Sequence, residues 1–186
     1  MLRPPLDVRS IIKEKSIRKA KGENNVAANK LIVIEGLDGS GKATQARRLM
    51  KALMEQGVSV REVSFPDYDS DSSALVRMYL SGQFGTDPQD VNAYAASSFF
   101  AVDRFASYLK DWKEFYESGE DHIVICDRYV TSNMLHQTAK LDSLEEKLAF
   151  LDWEYDFEFV RGGLPVPEKV FFLDVKPEVT FRLMKD

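Results

Sequence analysis

A glycine-rich turn followed by a lysine is the stretch of this sequence best equipped for chemistry. Gly36, Gly39 and Gly41 precede Lys42, with the spacing G-x-x-x-x-G-K. Glycines let the backbone turn with its N–H groups pointing inward, which forms a cradle for anions. At this spacing a lysine reaches the β and γ phosphates of a nucleotide. The motif therefore predicts a phosphate-binding loop, a P-loop, and a chance glycine-rich turn is the alternative.

The residues on either side of the turn have the pattern of a strand and a helix. Leu31 to Ile34 is a short apolar run, typical of a strand covered on both faces. From Lys42 the apolar residues follow helical spacing as far as Gly57, which is placed to end the helix. A helix starting at Lys42 directs its N-terminus at a bound phosphate, so the context supports the motif.

The residue after the lysine departs from the usual P-loop. Ser or Thr at this position normally places a hydroxyl on Mg²⁺, whereas this chain has Ala43 followed by Thr44. Magnesium binds largely through water and phosphate oxygens in such sites. We therefore expect a carboxylate elsewhere in the chain to help to hold the ion.

A second polar cluster follows a later apolar run. His122 to Cys126 reads as a buried strand, and Asp127, Arg128 and Tyr129 come directly after it. Ligands of open α/β sheets bind at the carboxyl ends of the strands. There a carboxylate commonly serves the metal, and an arginine suits contact with a transferring phosphoryl group. A purely structural Asp–Arg pair is the alternative.

Helical spacing predicts two further groups of polar and aromatic side chains. Thr131 or Ser132 is expected to cap a short helix, whose face carries Asn133, His136 and Gln137. A long helix is predicted from Pro88 to Glu117. Its expected core-facing stripe comprises Val91, Ala95, Ser98, Val102, Phe105, Leu109, Trp112 and Tyr116. Phe100 and Arg104 share the opposite side, where either a second layer or a planar ligand packs on the ring.

Composition sets the class of protein. With 186 residues the chain is about one domain, and a net charge of −5 gives no reason to expect nucleic acid as a partner. The single cysteine, Cys126, suits a reducing compartment, so we expect a cytoplasmic protein without a membrane span. Residues 1–29 are basic and are expected to be a solvated extension, with organelle targeting as the alternative.

Strand and helix patterns alternate along residues 30–186. The remaining predicted elements are a strand at Val58–Phe65, a helix at Asp71–Leu80, a capping-box helix from Ser143 to about Phe157, a strand at Val170–Val175 and a helix from Pro177. This alternation predicts an α/β fold in which helices cover both faces of a parallel sheet.

Four ordered motifs, and a proline-rich turn after them, resemble the thymidylate kinase family from about Lys30 onwards. They are Glu35 to Gln45 (E-G-x-D-G-x-G-K-x-T-Q), Phe65-Pro66, Phe100 to Arg104 (F-x-x-D-R), Asp127 to Ser132 (D-R-Y-x-x-S, followed by Asn133) and Leu164 to Pro167 (L-P-x-P). The resemblance implies a P-loop nucleoside monophosphate kinase fold. It also implies transfer of the γ-phosphoryl group of ATP to dTMP with Mg²⁺, giving dTDP for dTTP biosynthesis, by a protein that forms homodimers.

The resemblance also implies roles for individual residues. Lys42, Asp127 and Arg128 would be catalytic, and Asp127 would serve the magnesium, directly or through water. Phe100 would stack on the thymine and Arg104 would hydrogen-bond a base carbonyl. The ATP phosphates would lie against Gly36, Gly39, Ser40, Gly41, Lys42, Ala43 and Thr44. The dTMP site would comprise Asp38 (at the sugar 3′-hydroxyl), Phe65, Pro66, Phe100, Arg104, Arg128, Asn133 (near the base), His136 (near the sugar 2′ position) and Gln137.

Two other functions remain open at this point. Members of the family continue past Arg182 into an arginine-bearing lid and an adenine-holding segment, so residues 30–186 are expected to be a kinase domain without that part. With Ala43, this motivates a nucleotide-binding protein with little turnover, since phosphoryl transfer depends on positioned positive charge. A deoxynucleoside kinase, which generally has E-R-S where this chain has Asp127-Arg128-Tyr129, is the third hypothesis.

Overall fold

Four parallel strands form the sheet of this protein, for which the computed structural model describes residues 30–118 and 122–184. The basic segment 1–29 lies outside the described residues. The strands are β1 (Lys30–Gly36), β2 (Val60–Ser64), β3 (Ile123–Asp127) and β4 (Lys169–Leu173), in the order β2-β3-β1-β4. Each predicted strand is present, displaced by at most two residues at its ends.

Helices connect the strands. They are α1 (Lys42–Met54), α2 (Ala74–Leu80, after the 3₁₀ turn Asp71–Ser73), α3 (Ala93–Ser107), α4 (Lys113–Glu117), α5 (Val130–Thr138), α6 (Leu144–Tyr155) and α7 (Pro177–Leu183). Two π-helical stretches, Tyr108–Trp112 and Asp156–Arg161, continue α3 and α6. The predicted α/β fold is confirmed. Within the described residues, no helix is both long and apolar enough to cross a membrane.

The two faces of the sheet have separate cores. Successive strand side chains point to opposite faces. Leu31 and Val33 pack in a large core with residues of α5 and α6, whereas Ile34 and Ile125 contact Ala46 of α1 on the other face. Both faces are therefore covered, which explains the uninterrupted apolar runs in the sequence. Cys126 is buried in the larger core, as predicted, and burial raises the pKa of its thiol.

The start of α3 differs from the prediction. Residues 87–90 form a turn, in which the Asp87 N–H donates to the Asp90 carboxylate at 2.9 Å. The helix begins instead at Ala93, because the Asn92 side chain accepts a hydrogen bond from the Ala95 N–H at 2.9 Å. The Asp-Pro step was thus a turn signal rather than a helix start.

The predicted core-facing stripe is wrong at two positions of the helix and its continuation, Val102 and Leu109, whereas Trp112 is fully buried and Phe105 and Tyr116 pack against the core as expected. Val102 and Leu109 are 46% and 66% exposed, whereas Arg104, expected on the opposite side, is only 2% exposed. The buried side of α3 is made of small and polar residues, namely Ala93, Ala96, Ser97, Ala101, Asp103 and Arg104. Small side chains let α3 pack closely against α5 and α6, so apolarity alone missed the buried side of α3 and placed Val102 there in error.

The capping box predicted for α6 is present. Ser143 Oγ accepts the Glu146 N–H at 3.1 Å, and the Glu146 carboxylate accepts the Ser143 N–H at 2.9 Å. Two orphan donors at the helix end are satisfied in this way. The α-helix ends at Tyr155, two residues before the predicted end, where the π-helical stretch begins.

Candidate active site

The glycine-rich turn between β1 and α1 has the backbone of a phosphate cradle. Gly36 and Gly41 have φ values of 153° and 87°, which side-chain-bearing residues rarely adopt. A Cβ at Gly36 would lie 2.7 Å from Ser40 Oγ, so glycine is required there. A Cβ at Gly41 would meet no described atom within 4 Å, which indicates open space beside the turn. The first N–H groups of α1 have no partner within the helix and adjoin this space.

Lys42 places its charge inside this turn. Its Nζ donates to the Leu37 carbonyl oxygen at 2.8 Å and lies 3.8 Å from the Asp38 carboxylate. Burial, followed by the nearby positive charge of Arg128, lowers the pKa of Lys42. A phosphate in the turn would relieve both effects, because it offers a stronger negative partner than a carbonyl oxygen.

Strand register brings three loops together at the carboxyl edge of the sheet. Ile34 of β1 and Ser64 of β2 both pair with Asp127 of β3. The Phe65 N–H donates to the Asp127 carbonyl oxygen at 3.0 Å, and the Arg128 N–H donates to the Ile34 carbonyl oxygen at 3.1 Å. The P-loop, the cis Phe65-Pro66 step and Asp127-Arg128 therefore adjoin one another.

Asp127 has an oxygen available for a metal-bound water. Its Oδ1 is buried and has no hydrogen-bond partner among the described residues. Burial raises the pKa of Asp127, against the opposing charges of Lys42 and Arg128. Within the described residues no three His, Cys, Asp or Glu side chains gather into a metal site. A Mg²⁺ ion held mainly by phosphate and water, with one carboxylate, fits this arrangement.

Arg128 is held over the P-loop by a strained backbone and by side-chain partners. Its φ is 65°, a conformation that costs a non-glycine residue about 1–3 kcal/mol. Its Nη2 donates to the Asp38 carboxylate, and its Nη1 lies 3.3 Å from Ser132 Oγ and 3.2 Å from His136 Nε2. Partial burial raises the pKa of Asp38, but the positive charge and hydrogen bond of Arg128 outweigh this effect, so the pKa of Asp38 is lowered. Burial, followed by Arg128, lowers the pKa of His136, so a neutral imidazole can accept from the guanidinium.

Glu35 fixes the turn that carries Arg128, a role that the sequence reasoning missed. Its buried carboxylate accepts the Tyr129 N–H at 3.1 Å, the Thr131 hydroxyl at 2.6 Å and the Ser132 hydroxyl at 2.8 Å. The expectation that Thr131 or Ser132 caps α5 is therefore wrong: Tyr129 is the N-cap residue and makes no side-chain cap. A charged residue ending an apolar strand was the signal available in the sequence.

Phe100 combines packing with exposure. Its ring contacts Tyr79 of α2 edge-on, with centroids 6.1 Å apart and planes at 87°. The residue remains partly exposed. The contact with a second layer is thus present, and part of the side chain stays available for a planar ligand.

Arg104 is paired inside the protein. Its Nε donates to Glu158 Oε2 at 2.7 Å, and its Nη2 donates to Glu158 Oε1. Glu158, which follows α6, was not recognised from the sequence. The described hydrogen bonds use Nε and Nη2, so Nη1 is the nitrogen that a base carbonyl would engage, and the expected contact stays a prediction.

The predicted polar face of α5 divides between two places. Asn133 is buried, and its Nδ2 donates to the Ser97 carbonyl oxygen at 3.2 Å and to Glu154 Oε1 at 2.9 Å. Gln137 is also buried, whereas His136 lies beside Arg128 with part of its ring at the surface and part desolvated. Asn133 therefore joins the Arg104 region, and His136 joins the P-loop region.

Comparison with known proteins decides the family. A family model described as thymidylate kinase matches residues 34–185. The chain belongs to the thymidylate kinase family. It is 35% identical over 161 residues to the thymidylate kinase of Caenorhabditis elegans, covering 80% of this chain and 64% of the relative. It is 35% identical over 153 residues to the thymidylate kinase of Mycobacterium tuberculosis strain H37Rv, covering 80% of this chain and 67% of the relative. It is 36% identical over 154 residues to a probable thymidylate kinase of Pyrococcus abyssi, covering 83% of this chain and 69% of the relative.

The chain therefore spans about two thirds of the length of these thymidylate kinase relatives. The matched range begins at Ile34 and includes every residue proposed above for the phosphate and base sites. The P-loop, Phe65-Pro66 and Asp127-Arg128 thus all lie within the family match and adjoin one another at one edge of the sheet.

Proposed function

We propose that this chain carries the thymidylate kinase reaction, transferring the γ-phosphoryl group of ATP to dTMP to give ADP and dTDP. One observation supports the proposal: the charged groups of Lys42, Asp127 and Arg128 lie close together beside the glycine turn, and transfer of a phosphoryl group requires such positioned charges. Family membership supports the same conclusion.

Positioning and electrostatics would supply the catalysis. Lys42 and the backbone N–H groups of the P-loop hold the β and γ phosphates of ATP. A phosphate oxygen of dTMP attacks the γ-phosphorus while the bond to the β–γ bridging oxygen breaks, and ADP leaves with that electron pair. Arg128 neutralises charge on both nucleotides. Mg²⁺, which Asp127 would hold through its free Oδ1, would withdraw charge from the phosphate oxygens.

Substrate binding would exchange the partners of Arg128. Its guanidinium donates a hydrogen bond to the Asp38 carboxylate in the structure. A phosphate dianion competes well for this guanidinium because it accepts two parallel hydrogen bonds and carries more charge. Asp38 is then free to accept the sugar 3′-hydroxyl, the role proposed for it from the sequence.

The base would lie between α3 and α5. Phe100 would stack on the pyrimidine, Arg104 Nη1 would donate to the O4 carbonyl, and Asn133 would contact N3. Both polar side chains are fixed by buried partners, Glu158 and Glu154 respectively. Fixed donors and acceptors discriminate well, because a mismatched base leaves them unpaired in a buried site.

An ADP-release assay with dTMP, dUMP, UMP, dGMP and thymidine tests the proposal. We expect dTMP to be the best acceptor. Preference for a purine or ribonucleotide would refute the substrate assignment, and phosphorylation of thymidine instead of dTMP would favour a deoxynucleoside kinase. Calorimetric binding of ATP and dTMP without turnover would favour a nucleotide-binding protein, the alternative motivated by Ala43.

We also propose that the exposed side of α3 supports a homodimer. Val102 and Leu109 lie two turns apart on one side of the helix and its π-helical continuation, and both are well exposed. Such side chains are commonly covered by a partner subunit. Light scattering should give the mass of a dimer, and a charge at Leu109 should shift it towards the monomer. The cytoplasmic location expected from the sequence stays a prediction.

A further inference from the structure

Glu154 of α6 is a buried carboxyl group that takes no part in the phosphoryl transfer described above. It has no exposed surface, and its Oε1 accepts a hydrogen bond from Asn133 Nδ2 at 2.9 Å. Its other oxygen, Oε2, is buried and receives no hydrogen bond from the described residues. One helical turn later lies Glu158, also fully buried and paired with Arg104. Two carboxyl groups and one guanidinium thus share one buried region between α3, α5 and α6.

One proton on Glu154 balances this region. Burial, followed by the charge of Glu158, raises the pKa of Glu154 to about 8. The two carboxyl groups lie within hydrogen-bonding reach of each other. A proton on Oε2 can therefore be donated to Glu158, while Oε1 keeps its lone pairs for Asn133. The charges of Arg104 and Glu158 then cancel, and the orphan oxygen gains a partner.

The contacts of Asn133 fix the direction of its amide. The Ser97 carbonyl oxygen can only accept, and Glu154 Oε1 also accepts, so both require the Nδ2 end of the amide. A flipped amide would bring three acceptor oxygens together in a buried place, which is costly. Oδ1 is consequently the end left for a ligand, and no described residue donates to it.

An acceptor at Asn133 Oδ1 beside a donor at Arg104 Nη1 matches one class of base edge. Thymine and uracil present a donor at N3 next to an acceptor at O4, which complements this pair. Cytosine presents an acceptor at N3 next to the N4 amino donor, which opposes both groups. A mismatch of this kind leaves buried polar groups unpaired and discriminates strongly.

We propose that Glu154 is a specificity-determining positioning residue: it holds Asn133 so that Oδ1 accepts the N3–H of a pyrimidine imide, and thereby excludes cytosine. The proposal rests on the proposed function, because it assumes that the base lies between Arg104 and Asn133. Glu154 itself does not touch the substrate. Its loss should therefore change KM and base selectivity while kcat stays close to that of the wild type.

The test compares Glu154→Leu and Glu154→Gln in assays with dTMP and dCMP. In Glu154→Leu we expect the KM for dTMP to rise about tenfold and the preference for dTMP over dCMP to fall by about as much, the value of one hydrogen bond to a neutral partner. Glu154→Gln should keep wild-type selectivity, because its oxygen accepts from Asn133 and its nitrogen donates to Glu158. Glu145→Leu, an exposed position on the same helix, is the matched control.

Other outcomes overturn the inference in distinguishable ways. Unchanged base selectivity in Glu154→Leu would leave Glu154 a purely structural residue. So would a loss of selectivity that is accompanied by losses of kcat and of ATP affinity. Glu154→Met, an unbranched side chain of similar length, replaces the leucine variant if that variant does not fold. A wild-type protein that neither binds nor phosphorylates dTMP refutes the proposed function itself, whereas wild-type selectivity that survives in both apolar variants refutes this inference alone.

Discussion

Removing Arg104 should destabilise the protein far more than removing a surface arginine that also pairs with a carboxylate. Arg104 and Glu158 are 2% and 0% exposed at their side chains and share two hydrogen bonds. Arg104→Met keeps the length of the side chain but leaves Glu158 without a cation, beside a second buried carboxyl group. Breaking one side of a buried pair costs about 3–5 kcal/mol. That is a large part of the free energy of unfolding of a typical domain, which is about 5–15 kcal/mol.

The chain offers a matched control. Arg161 also pairs with a carboxylate, Asp156, but its side chain is 76% exposed and that of Asp156 is 44% exposed. Solvent screening leaves such a pair worth under about 1 kcal/mol. Urea unfolding of wild type, Arg104→Met and Arg161→Met, followed by circular dichroism, measures both losses under the same conditions. The double variant Arg104→Met/Glu158→Met should regain much of the loss, since it removes the unpaired charge.

Two results would refute this reasoning. Equal destabilisation by Arg104→Met and Arg161→Met would mean that burial does not govern the cost of losing the cation. A double variant that loses the full sum of both single changes would mean that the charges of Arg104 and Glu158 are not coupled.

Three further predictions concern the site. Phe100→Ala should weaken dTMP binding by about 1–3 kcal/mol in calorimetry, the range for stacking on an aromatic ring, with ATP binding nearly unchanged; equal losses would make Phe100 a core residue. Lys42→Ala should abolish phosphoryl transfer with an unchanged circular dichroism spectrum, whereas exposed Arg48→Ala on the same helix should remain active. Glu154, whose pKa burial and Glu158 raise from 4.5 to about 8, should make stability fall as pH rises between these values, because the folded state binds the extra proton there. In urea titrations at pH 5 to 8 Glu154→Gln should lack this fall, and parallel curves would contradict the assignment.

The geometry of the proposed phosphate site was predictable because its signals are local. Gly36, Gly41 and Lys42 are close in sequence, and the required backbone conformations are those that glycine allows. Asp127 and Arg128 directly follow a continuous apolar strand. Carboxyl ends of parallel strands lie at one edge of the sheet, so the P-loop after β1 and the polar pair after β3 were expected at the same edge, and the pairing of β1 with β3 makes them adjoin.

The base half was only partly predictable because its partners are distant in sequence. Arg104 and Glu158 are separated by 54 positions, and Asn133 and Glu154 by 21. Which helix face is buried depends on neighbouring helices, and α3 turns its small residues inward. A count of apolar side chains therefore selected Val102, which is exposed, and Arg104 was assigned to the face away from the core.

The strained backbone of Arg128 follows from the position of Glu35. Because Glu35 is the last residue before the P-loop glycine and accepts from Tyr129, Thr131 and Ser132, it ties the segment after Arg128 directly to the phosphate cradle. Three hydrogen bonds to a buried carboxylate are enough to offset a backbone cost of about 1–3 kcal/mol. The backbone of Arg128 is thus fixed by the protein itself, and in the proposed reaction only its side chain would exchange Asp38 for a phosphate. Pre-organisation of this kind lowers the reorganisation needed in the transition state, which is where electrostatic catalysis gains its effect.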